Sequence, residues 1–291
     1  MMSDLDTLDR RVTNAMSVDI EDYFQVHALA PHFPRADWDN VPTRVGNNID
    51  RTLDLFARHD VRATFFILGW VAERFPDHIR RIAAAGHEIA SHGFLHHRVT
   101  ELSAEEFRRD LAATRNLLED LGGQRVRGYR APSYSIGAGN RWALDVLEAE
   151  GYDYSSSIYP IQHDHYGMPE APRHGFRPTG DGRLLELPIT TVEWGGWRFP
   201  CGGGGYFRLY PYRLSRWALR RVNEREGAPA TFYFHPWEID PGQPRVQDAA
   251  LRTRFRHYLN LERMEARLDR LLGDFRWDRM DRVFLDQEET Q

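Results

Sequence analysis

Three histidines stand close together in the stretch SHGFLHH, residues 91–97. His92 and His96 are four residues apart, so one helical turn would place both side chains on one face, within reach of one metal ion. A metalloprotease of the H-E-x-x-H type needs a glutamate after the first histidine, and that position here is Gly93. A carboxylate from elsewhere must therefore complete any catalytic metal site, with His97 outside it; a histidine-rich surface turn is the alternative.

Three acids follow an apolar strand start in SVDIEDYF. Burying Asp19, Glu21 and Asp22 is costly unless they are paired or bind a cation. The two-residue period of a strand puts Asp19 and Glu21 on one side, with Asp22 opposite. Glu21 with the two histidines would form a metal site open to water, which leaves Asp19 free as a general base. A solvated loop of acids is the competing interpretation.

Two further candidates stand at the ends of apolar runs. Arg130, in RGYRAPSYS, could orient a catalytic carboxylate and keep it ionised, or form a surface salt bridge. His235, in TFYFHPWEID, has the chemistry to protonate a departing amine, although a lone histidine before proline is often structural.

The elements around these residues alternate between short apolar runs and amphipathic stretches, which indicates an α/β fold. In a parallel α/β barrel, the chemistry collects at the carboxyl ends of the strands, where these polar residues fall. A capping box of Ser103 with Glu106 marks the start of one helix. The predicted strands are 15–20, 62–68, 88–92, 127–132, 184–189 and 230–236. The predicted helices are 45–59, 78–86 and 103–123.

The glycine-rich segment PCGGGGYFRLYP, residues 200–211, could approach a ligand. Its glycines permit close contact or positive φ, and aromatic rings such as Tyr206 and Phe207 could stack on sugars. Gly204, Tyr206 and Phe207, together with Tyr134, are therefore the candidate substrate-binding residues. A flexible surface loop is the alternative.

The segment 248–275 carries apolar residues at helical spacing and is predicted to be one amphipathic helix. It would pack on the barrel or, less favourably, at a homodimer contact. The residues that define this apolar face are Leu261, Met264, Leu268, Leu271 and Leu272.

Composition narrows the class of protein. The chain has 291 residues, 41% of them hydrophobic, and a formal net charge of −5 with both signs mixed along its length, so no nucleic-acid partner is expected. Cys201 is the single cysteine, which excludes an internal disulfide. The first sixteen residues have the pattern of neither a signal peptide nor a membrane span, so we expect a cytoplasmic protein without membrane insertion.

The ordered motifs SVDIED, SHGFLHH, RGYRAP and FHP, with ATFFILG and AAAGHEIASHG between the first two, resemble those of the polysaccharide deacetylase family, also called NodB-homology or carbohydrate esterase family 4. The resemblance covers residues 15–240 and is closer to the branch with Helicobacter-type peptidoglycan deacetylase and allantoinase-like proteins. HDHYG, GGGGYFRLYP and FHPWEID further resemble a subgroup encoded with bacterial exopolysaccharide systems.

This resemblance implies a distorted (β/α)7-type barrel and a metal-dependent N-deacetylase. The metal would most readily be Zn²⁺, with Co²⁺, Ni²⁺ or Mn²⁺ as alternatives. By resemblance, Asp19 matches the catalytic base, Arg130 the residue that orients it, and His235 the general acid. The remaining matches are the metal ligands Glu21, His92 and His96.

Two positions depart from the family pattern. Glu21 stands where relatives usually have aspartate, which makes Asp22 a competitor for the ligand role. The aspartate that steadies the acid histidine has no clean match, since Asp153 lies two positions early and Ser155 or Ser156 occupies its place. The residue that tunes His235 is therefore open.

From these observations we expect one deacetylase domain over residues 1–291 that removes N-acetyl groups from amino sugars of an exopolysaccharide or its precursor. The expected partner is an N-acetylated glycan. Two alternatives are an amide hydrolase with a non-sugar, allantoinase-like substrate and a glycan-binding barrel without turnover.

Overall fold

A computed structural model describes residues 12–164 and 166–285 of the chain. The N-terminal stretch, for which the sequence predicts no signal peptide, lies largely outside these residues. None of the described helices combines the length and apolar character that crossing a bilayer requires.

One parallel sheet organises the described residues. Its order is β9-β1-β2-β3-β4-β5-β6, and β10 pairs with the start of β1. The strands of this sheet are β1 (Thr13–Ile20), β2 (Thr64–Ile67), β3 (Glu88–Ser91), β4 (Gly128–Tyr129), β5 (Tyr154–Ser155), β6 (Leu185–Glu186), β9 (Thr231–Phe234) and β10 (Arg276–Asp278). A separate antiparallel hairpin consists of β7 (Thr191–Trp194) and β8 (Trp197–Pro200).

The sheet curls into a distorted barrel, as predicted. Side-chain and backbone contacts close the gap between β6 and β9: Thr190 N donates to Thr231 O at 3.3 Å, and Thr231 N donates to Thr190 Oγ1 at 2.6 Å. The predicted strand 184–189 is shorter in the structure, where only Leu185 and Glu186 pair as β6.

Helices cover the sheet. The predicted capping box is confirmed, since Ser103 and Glu106 exchange hydrogen bonds at the start of α4 and Gly123 ends it with φ of 61°. The helices are α1 (Val45–Arg58), α2 (Gly69–Arg74), α3 (Pro76–Ala84), α4 (Ala104–Gly122), α5 (Trp142–Ala149), α6 (Gly204–Leu209), α7 (Tyr212–Arg225), α8 (Leu251–Tyr258), α9 (Leu261–Asp274) and α10 (Met280–Phe284).

The prediction of one helix over 248–275 is wrong. The chain leaves helical geometry at Leu259, and Asn260 adopts a left-handed conformation with φ of 55°, which separates α8 from α9. The apolar face predicted from Leu261 to Leu272 is nevertheless buried, and it belongs to α9. The break turns the chain so that α9 alone packs its apolar face on the barrel.

Candidate metal centre and catalytic site

The candidate site lies at the carboxyl edge of the sheet. Glu21 follows β1, His92 follows β3, Arg130 follows β4 and His235 follows β9, each within one residue of its strand's end. Because parallel strands end at the same edge, residues far apart in sequence meet there. The structure therefore brings these four residues together at one edge of the sheet.

Glu21, His92 and His96 form a group that could hold a metal ion. Their potential ligand atoms all lie within 4.8 Å of one another, and all three side chains are buried. His96 Nε2 lies 2.9 Å from Glu21 Oε2. The expected helical turn is absent: Gly93 and His96 adopt positive φ of 73° and 54°, so a tight loop brings the histidines together. His97 does not belong to this ligand group.

The protonation of the group suits a divalent metal. His92 Nδ1 lies 2.8 Å from the carbonyl oxygen of Arg130; as donor it leaves Nε2 with a free lone pair. Burial lowers the pKa of His92 to about 4, so the ring is neutral near pH 7. Burial alone would raise the pKa of Glu21, but the imidazoles of His96 and His235 outweigh it and hold that pKa well below its usual range. Two imidazoles and a carboxylate are a ligand set that fits zinc or a similar transition metal.

Asp22 does not compete for the ligand role. Its Oδ2 accepts hydrogen bonds from Arg44 N at 2.6 Å and Val45 N at 3.0 Å, and its Oδ1 accepts one from Tyr23 N at 2.8 Å. The carboxylate therefore caps the start of α1, where it satisfies amide groups that lack helical partners. Burial raises the pKa of Asp22 to about 6 despite these donors.

Arg130 holds Asp19 in place. Its Nη1 donates to Asp19 Oδ1 at 2.6 Å and to Ser17 Oγ at 2.9 Å, while Nη2 donates to Ser156 Oγ at 2.9 Å. Both members of the ion pair are buried, and the guanidinium lies 4.0 Å above the ring of Phe66. A buried arginine satisfied on both edges fixes the direction of the carboxylate it contacts.

His235 faces both acids of the site. Its Nε2 lies 3.5 Å from Glu21 Oε1 and 3.9 Å from Asp19 Oδ2, and its side chain is 18% exposed, whereas both acids are almost fully buried. Burial alone would lower the pKa of His235, but Glu21, Glu238 and Asp19 outweigh it and raise that pKa to about 9. The imidazole is therefore a proton donor at neutral pH.

The residue that steadies His235 is Glu238, which the sequence interpretation missed. Glu238 Oε2 accepts from His235 N at 3.0 Å and lies 3.3 Å from its Nδ1, while Glu238 Oε1 accepts from Arg208 Nε at 2.6 Å. Burial alone would raise the pKa of Glu238, but Arg208 and His235 bring it down to about 2. The signal in the sequence was the three-residue spacing in HPWE. Asp153 instead pairs with Arg125 and Arg127.

Trp237 is a second residue that sequence reasoning missed. Its Nε1 donates to Glu21 Oε1 at 3.1 Å, and its ring stacks on His235 with centroids 5.1 Å apart. The other face stacks on His257 at 4.4 Å. The indole therefore fixes one oxygen of the candidate metal ligand and one face of the proton donor.

The four candidate substrate-binding residues lie in different surroundings. Tyr134 lies beside Arg130, has φ of 49°, and lines a cavity of about 420 Å³. Tyr206 is half-buried and packs with Tyr134 in a group of aromatic side chains that we call the tyrosine cluster. Its other tyrosines are Tyr159, Tyr166 and Tyr233. The prediction that Phe207 binds substrate is wrong. Its side chain is 1% exposed and packs edge-on against Phe232 in the core, so no substrate can reach it.

The glycines of this segment serve the fold. Gly203 and Gly204 have φ of 112° and 56°, and a Cβ at Gly203 would lie 1.9 Å from the carbonyl oxygen of Tyr233. A Cβ at Gly204 would lie 2.3 Å from the Tyr233 hydroxyl. These glycines therefore let the start of α6 lie close to strand β9, which carries Tyr233 next to the site.

The fold and the site define a distorted α/β barrel with a candidate His-His-carboxylate metal centre at the carboxyl ends of its strands. Family comparison agrees: the model described as "Polysaccharide deacetylase" matches residues 37–155, and that described as "Domain of unknown function (DUF3473)" matches residues 156–285. The match to the polysaccharide deacetylase family thus covers residues 37–155, and His92, His96 and Arg130 lie in this region.

Similar proteins include three named deacetylases. The chain is 37% identical over 82 residues to peptidoglycan-N-acetylglucosamine deacetylase of Bacillus cereus, which is 28% of this chain and 30% of that protein. It is 30% identical over 110 residues to peptidoglycan deacetylase of Helicobacter pylori, with coverage of 38% and 36%. It is 35% identical over 105 residues to chitooligosaccharide deacetylase of Rhizobium leguminosarum bv. trifolii, with coverage of 32% and 49%. The matches thus span less than half the length of these relatives.

Two solved structures share the fold over almost the whole chain. A protein from Mycobacterium smegmatis described as a polysaccharide deacetylase aligns with a TM-score of 0.64 at 20% identity, covering 97% of this chain and 92% of that one. An allantoinase aligns with a TM-score of 0.57 at 16% identity, covering 95% and 90%. These alignments establish the fold.

Proposed function

We propose that this protein is a metal-dependent hydrolase that removes N-acetyl groups from amino sugars of a bacterial exopolysaccharide or its precursor. The observation that carries the proposal is that Asp19 and His235, a base and an acid, both face the Glu21–His92–His96 group. Amide hydrolysis needs one group that takes a proton from water and another that gives a proton to the leaving nitrogen.

Each side chain has one step in this reaction. A divalent ion, when bound by Glu21, His92 and His96, supplies Lewis-acid chemistry to the acyl oxygen and to water. Asp19, held by Arg130, accepts the proton of the attacking water. His235 donates its proton to the departing nitrogen as the carbon–nitrogen bond breaks. The products are acetate and a free amine on the sugar, which balances the water consumed.

The substrate class rests on three supports. The similar proteins named above are deacetylases of peptidoglycan or chitooligosaccharide. The half-buried rings of Tyr166 and Tyr206 lie in the tyrosine cluster that includes Tyr233, beside His235. An aromatic side chain that keeps part of its ring at the surface beside a site can pack on a sugar. The exopolysaccharide assignment follows from the motif resemblance of FHPWEID and GGGGYFRLYP.

We also propose that the chain forms one deacetylase domain. The sheet takes β1 to β5 from the part before residue 156 and β6, β9 and β10 from the part after it. The candidate site draws Glu21 from the first part and His235 from the second. Neither part holds the complete acid–base pair.

Acetate release tests the function. Zinc-loaded protein should release acetate from oligomers of at least one of N-acetylglucosamine, N-acetylgalactosamine and N-acetylmannosamine. Asp19→Asn should lower kcat by about 10²-fold or more, because the base is lost. Asp153→Asn, which removes an acid paired away from the site, is the matched control. Turnover of allantoin with no acetate release from any oligomer would replace the proposed substrate, and binding without turnover would make the chain a glycan-binding barrel.

A further inference from the structure

A strongly basic groove lies on the outer side of α7. It encloses about 600 Å³ and is lined by six arginines, Trp217 and a single acid, Glu224. The opposite side of α7, with Ala218, Leu219 and Val222, is buried. We call this feature the arginine groove, and its arginines are Arg213, Arg216, Arg220, Arg221, Arg225 and Arg270.

Two acids offset only part of the positive charge of the arginine groove. Asp274 lies 2.8 Å from Arg216 and 3.9 Å from Arg270, and Glu224 lies 4.0 Å from Arg220. Among the described residues, no acid lies within ion-pair distance of Arg213, Arg221 or Arg225. The whole chain has a formal charge of −5, so this concentration is local. A positive face on an acidic protein attracts anionic partners and orients the protein toward them.

Large apolar side chains border the groove. Trp194 and Trp197 flank the Gly195–Gly196 turn of the β7–β8 hairpin and are 60% and 73% exposed. The Trp194 ring meets Trp217 of the groove edge-on at 5.8 Å, which joins the hairpin tip to α7. One helical turn before Trp217, Leu214 is 43% exposed. Clustered exposed rings of this size mark an interaction surface.

We propose that the arginine groove and the Trp194–Trp197 hairpin tip together dock the protein onto an anionic phospholipid surface. Arginine guanidiniums pair with lipid phosphates, and indole rings partition into the headgroup region, where an apolar body and a polar N–H are both satisfied. This mode is peripheral attachment, in which the rings enter the interface and no helix crosses the bilayer.

The composition of the face favours lipid over other partners. A second copy of the chain, placed symmetrically, would set arginines against arginines. A polyanion such as nucleic acid would neutralise the arginines but would leave Leu214 and the Trp197 ring in water. An anionic bilayer satisfies both sets of groups at once.

Vesicle binding by the full chain tests the proposal. The probes are phosphatidylcholine vesicles and vesicles of phosphatidylcholine with phosphatidylglycerol in equal parts, at low and at physiological ionic strength. The groove variant combines Arg213→Gln, Arg220→Gln and Arg225→Gln. The control combines Arg58→Gln, Arg80→Gln and Arg109→Gln, which removes the same charge from α1, α3 and α4. Trp197→Ala removes the most exposed ring.

The wild-type chain should bind the anionic vesicles, and this binding should weaken as the salt concentration rises. It should bind neutral vesicles only slightly. The groove variant should bind at least about tenfold more weakly, while the control triple binds like wild type. Trp197→Ala should weaken binding at both salt concentrations. Equal losses in both triple variants, or no binding to anionic vesicles at low salt, would overturn the proposal. Tighter binding to a soluble polyanion, in competition with vesicles, would instead make the groove a polyanion site. These readouts do not depend on deacetylase activity.

Discussion

Glu21 contacts both His96 of the candidate metal group and His235 of the candidate acid–base pair. One of its oxygens faces His96, and the other faces His235 and accepts from Trp237. Glu21 is the next acid along the chain after Asp19 and lies at the end of β1, while the neighbouring Asp22 turns back to cap α1. One position along the chain therefore separates a candidate metal ligand from a structural cap.

Separate substitutions at these two acids should have different effects. Glu21→Gln should reduce zinc affinity by about 10²-fold or more, because a neutral amide is a poor ligand for the ion. Asp22→Asn should keep zinc affinity and lower the free energy of unfolding by about 1 kcal/mol, since a weaker cap remains. Equilibrium dialysis and chemical unfolding measure the two quantities. Loss of zinc only in Asp22→Asn would refute the ligand assignment.

In the proposed reaction, Glu238 acts through His235 as a positioning residue. In metal-free protein, Glu238→Gln should lower the pKa of the His235 imidazole, because a negative partner that favours the charged ring is removed. We expect kcat to fall about 10- to 100-fold with zinc affinity unchanged. NMR titration of His235 and steady-state kinetics provide the measurements.

Asp240→Asn is the matched control, since Asp240 lies two residues further on and pairs with Arg44 and Asn48. It should leave the His235 pKa and kcat near their wild-type values. An unchanged His235 pKa in Glu238→Gln would show that Glu238 has only a structural role.

At the scale of elements, the start of α6 is held against β9 by backbone contact. Gly203 caps the helix and forms a parallel bridge with Tyr233, at a distance that leaves no room for a side chain. This contact fixes the position of α6, and with it Arg208, which reaches Glu238 from that helix. The orientation of His235 thus depends on a glycine thirty-two residues before it.

Gly203→Ala should lower the free energy of unfolding by roughly 2 to 4 kcal/mol, because the Cβ meets a backbone carbonyl and the φ is strained. Gly205→Ala is the control, since its Cβ would meet only Arg208 Nη2 at 3.8 Å and alanine favours a helix. Denaturant unfolding of both variants checks the prediction, which equal stabilities would contradict.

At the scale of the whole molecule, buried histidines couple stability to pH. His87 Nδ1 accepts a hydrogen bond from Ala63 N at 3.1 Å, and burial with nearby Arg62 and Arg279 lowers the pKa of His87 to about 4. In the unfolded chain the His87 imidazole takes up a proton near pH 6.5, whereas in the folded chain it does so only near pH 4. Stability from His87 is therefore complete above pH 6.5 and is lost as pH falls toward 4.

His87→Asn should flatten this dependence, because an amide oxygen can accept the same hydrogen bond without titrating. The difference in free energy of unfolding between wild type and variant should shift by about 2 to 3 kcal/mol in favour of the variant from pH 7.5 to pH 4. Urea unfolding at several pH values measures it. Parallel pH profiles for the two proteins would show that His87 does not contribute.

The distribution of charge also emerges only at this scale. Along the sequence the two signs are mixed, and no basic face was expected. Folding places five arginines of α7 beside Arg270 of α9 and sets the tryptophans of the β7–β8 hairpin against them. The arginines of α7 are close together in the sequence, but folding alone brings Arg270 and the hairpin tryptophans beside them.

The sequence by itself determined the α/β class and the central site residues. Asp19, Glu21, His92, Arg130 and His235 could be recognised because each stands where an apolar strand ends, and parallel strands end at one edge. Local patterns of this kind survive folding because they depend on the residues next to them.

Only the tertiary structure decided the choices that depend on distant partners. The amides at the start of α1 make Asp22 a cap, Arg208 joins Glu238 to His235, and the core encloses Phe207. The left-handed conformation of Asn260, which separates α8 from α9, is likewise seen only in the structure. Each outcome depends on which groups lie across the barrel, and hydrogen bonding and burial there are set by contacts that the order of residues does not reveal.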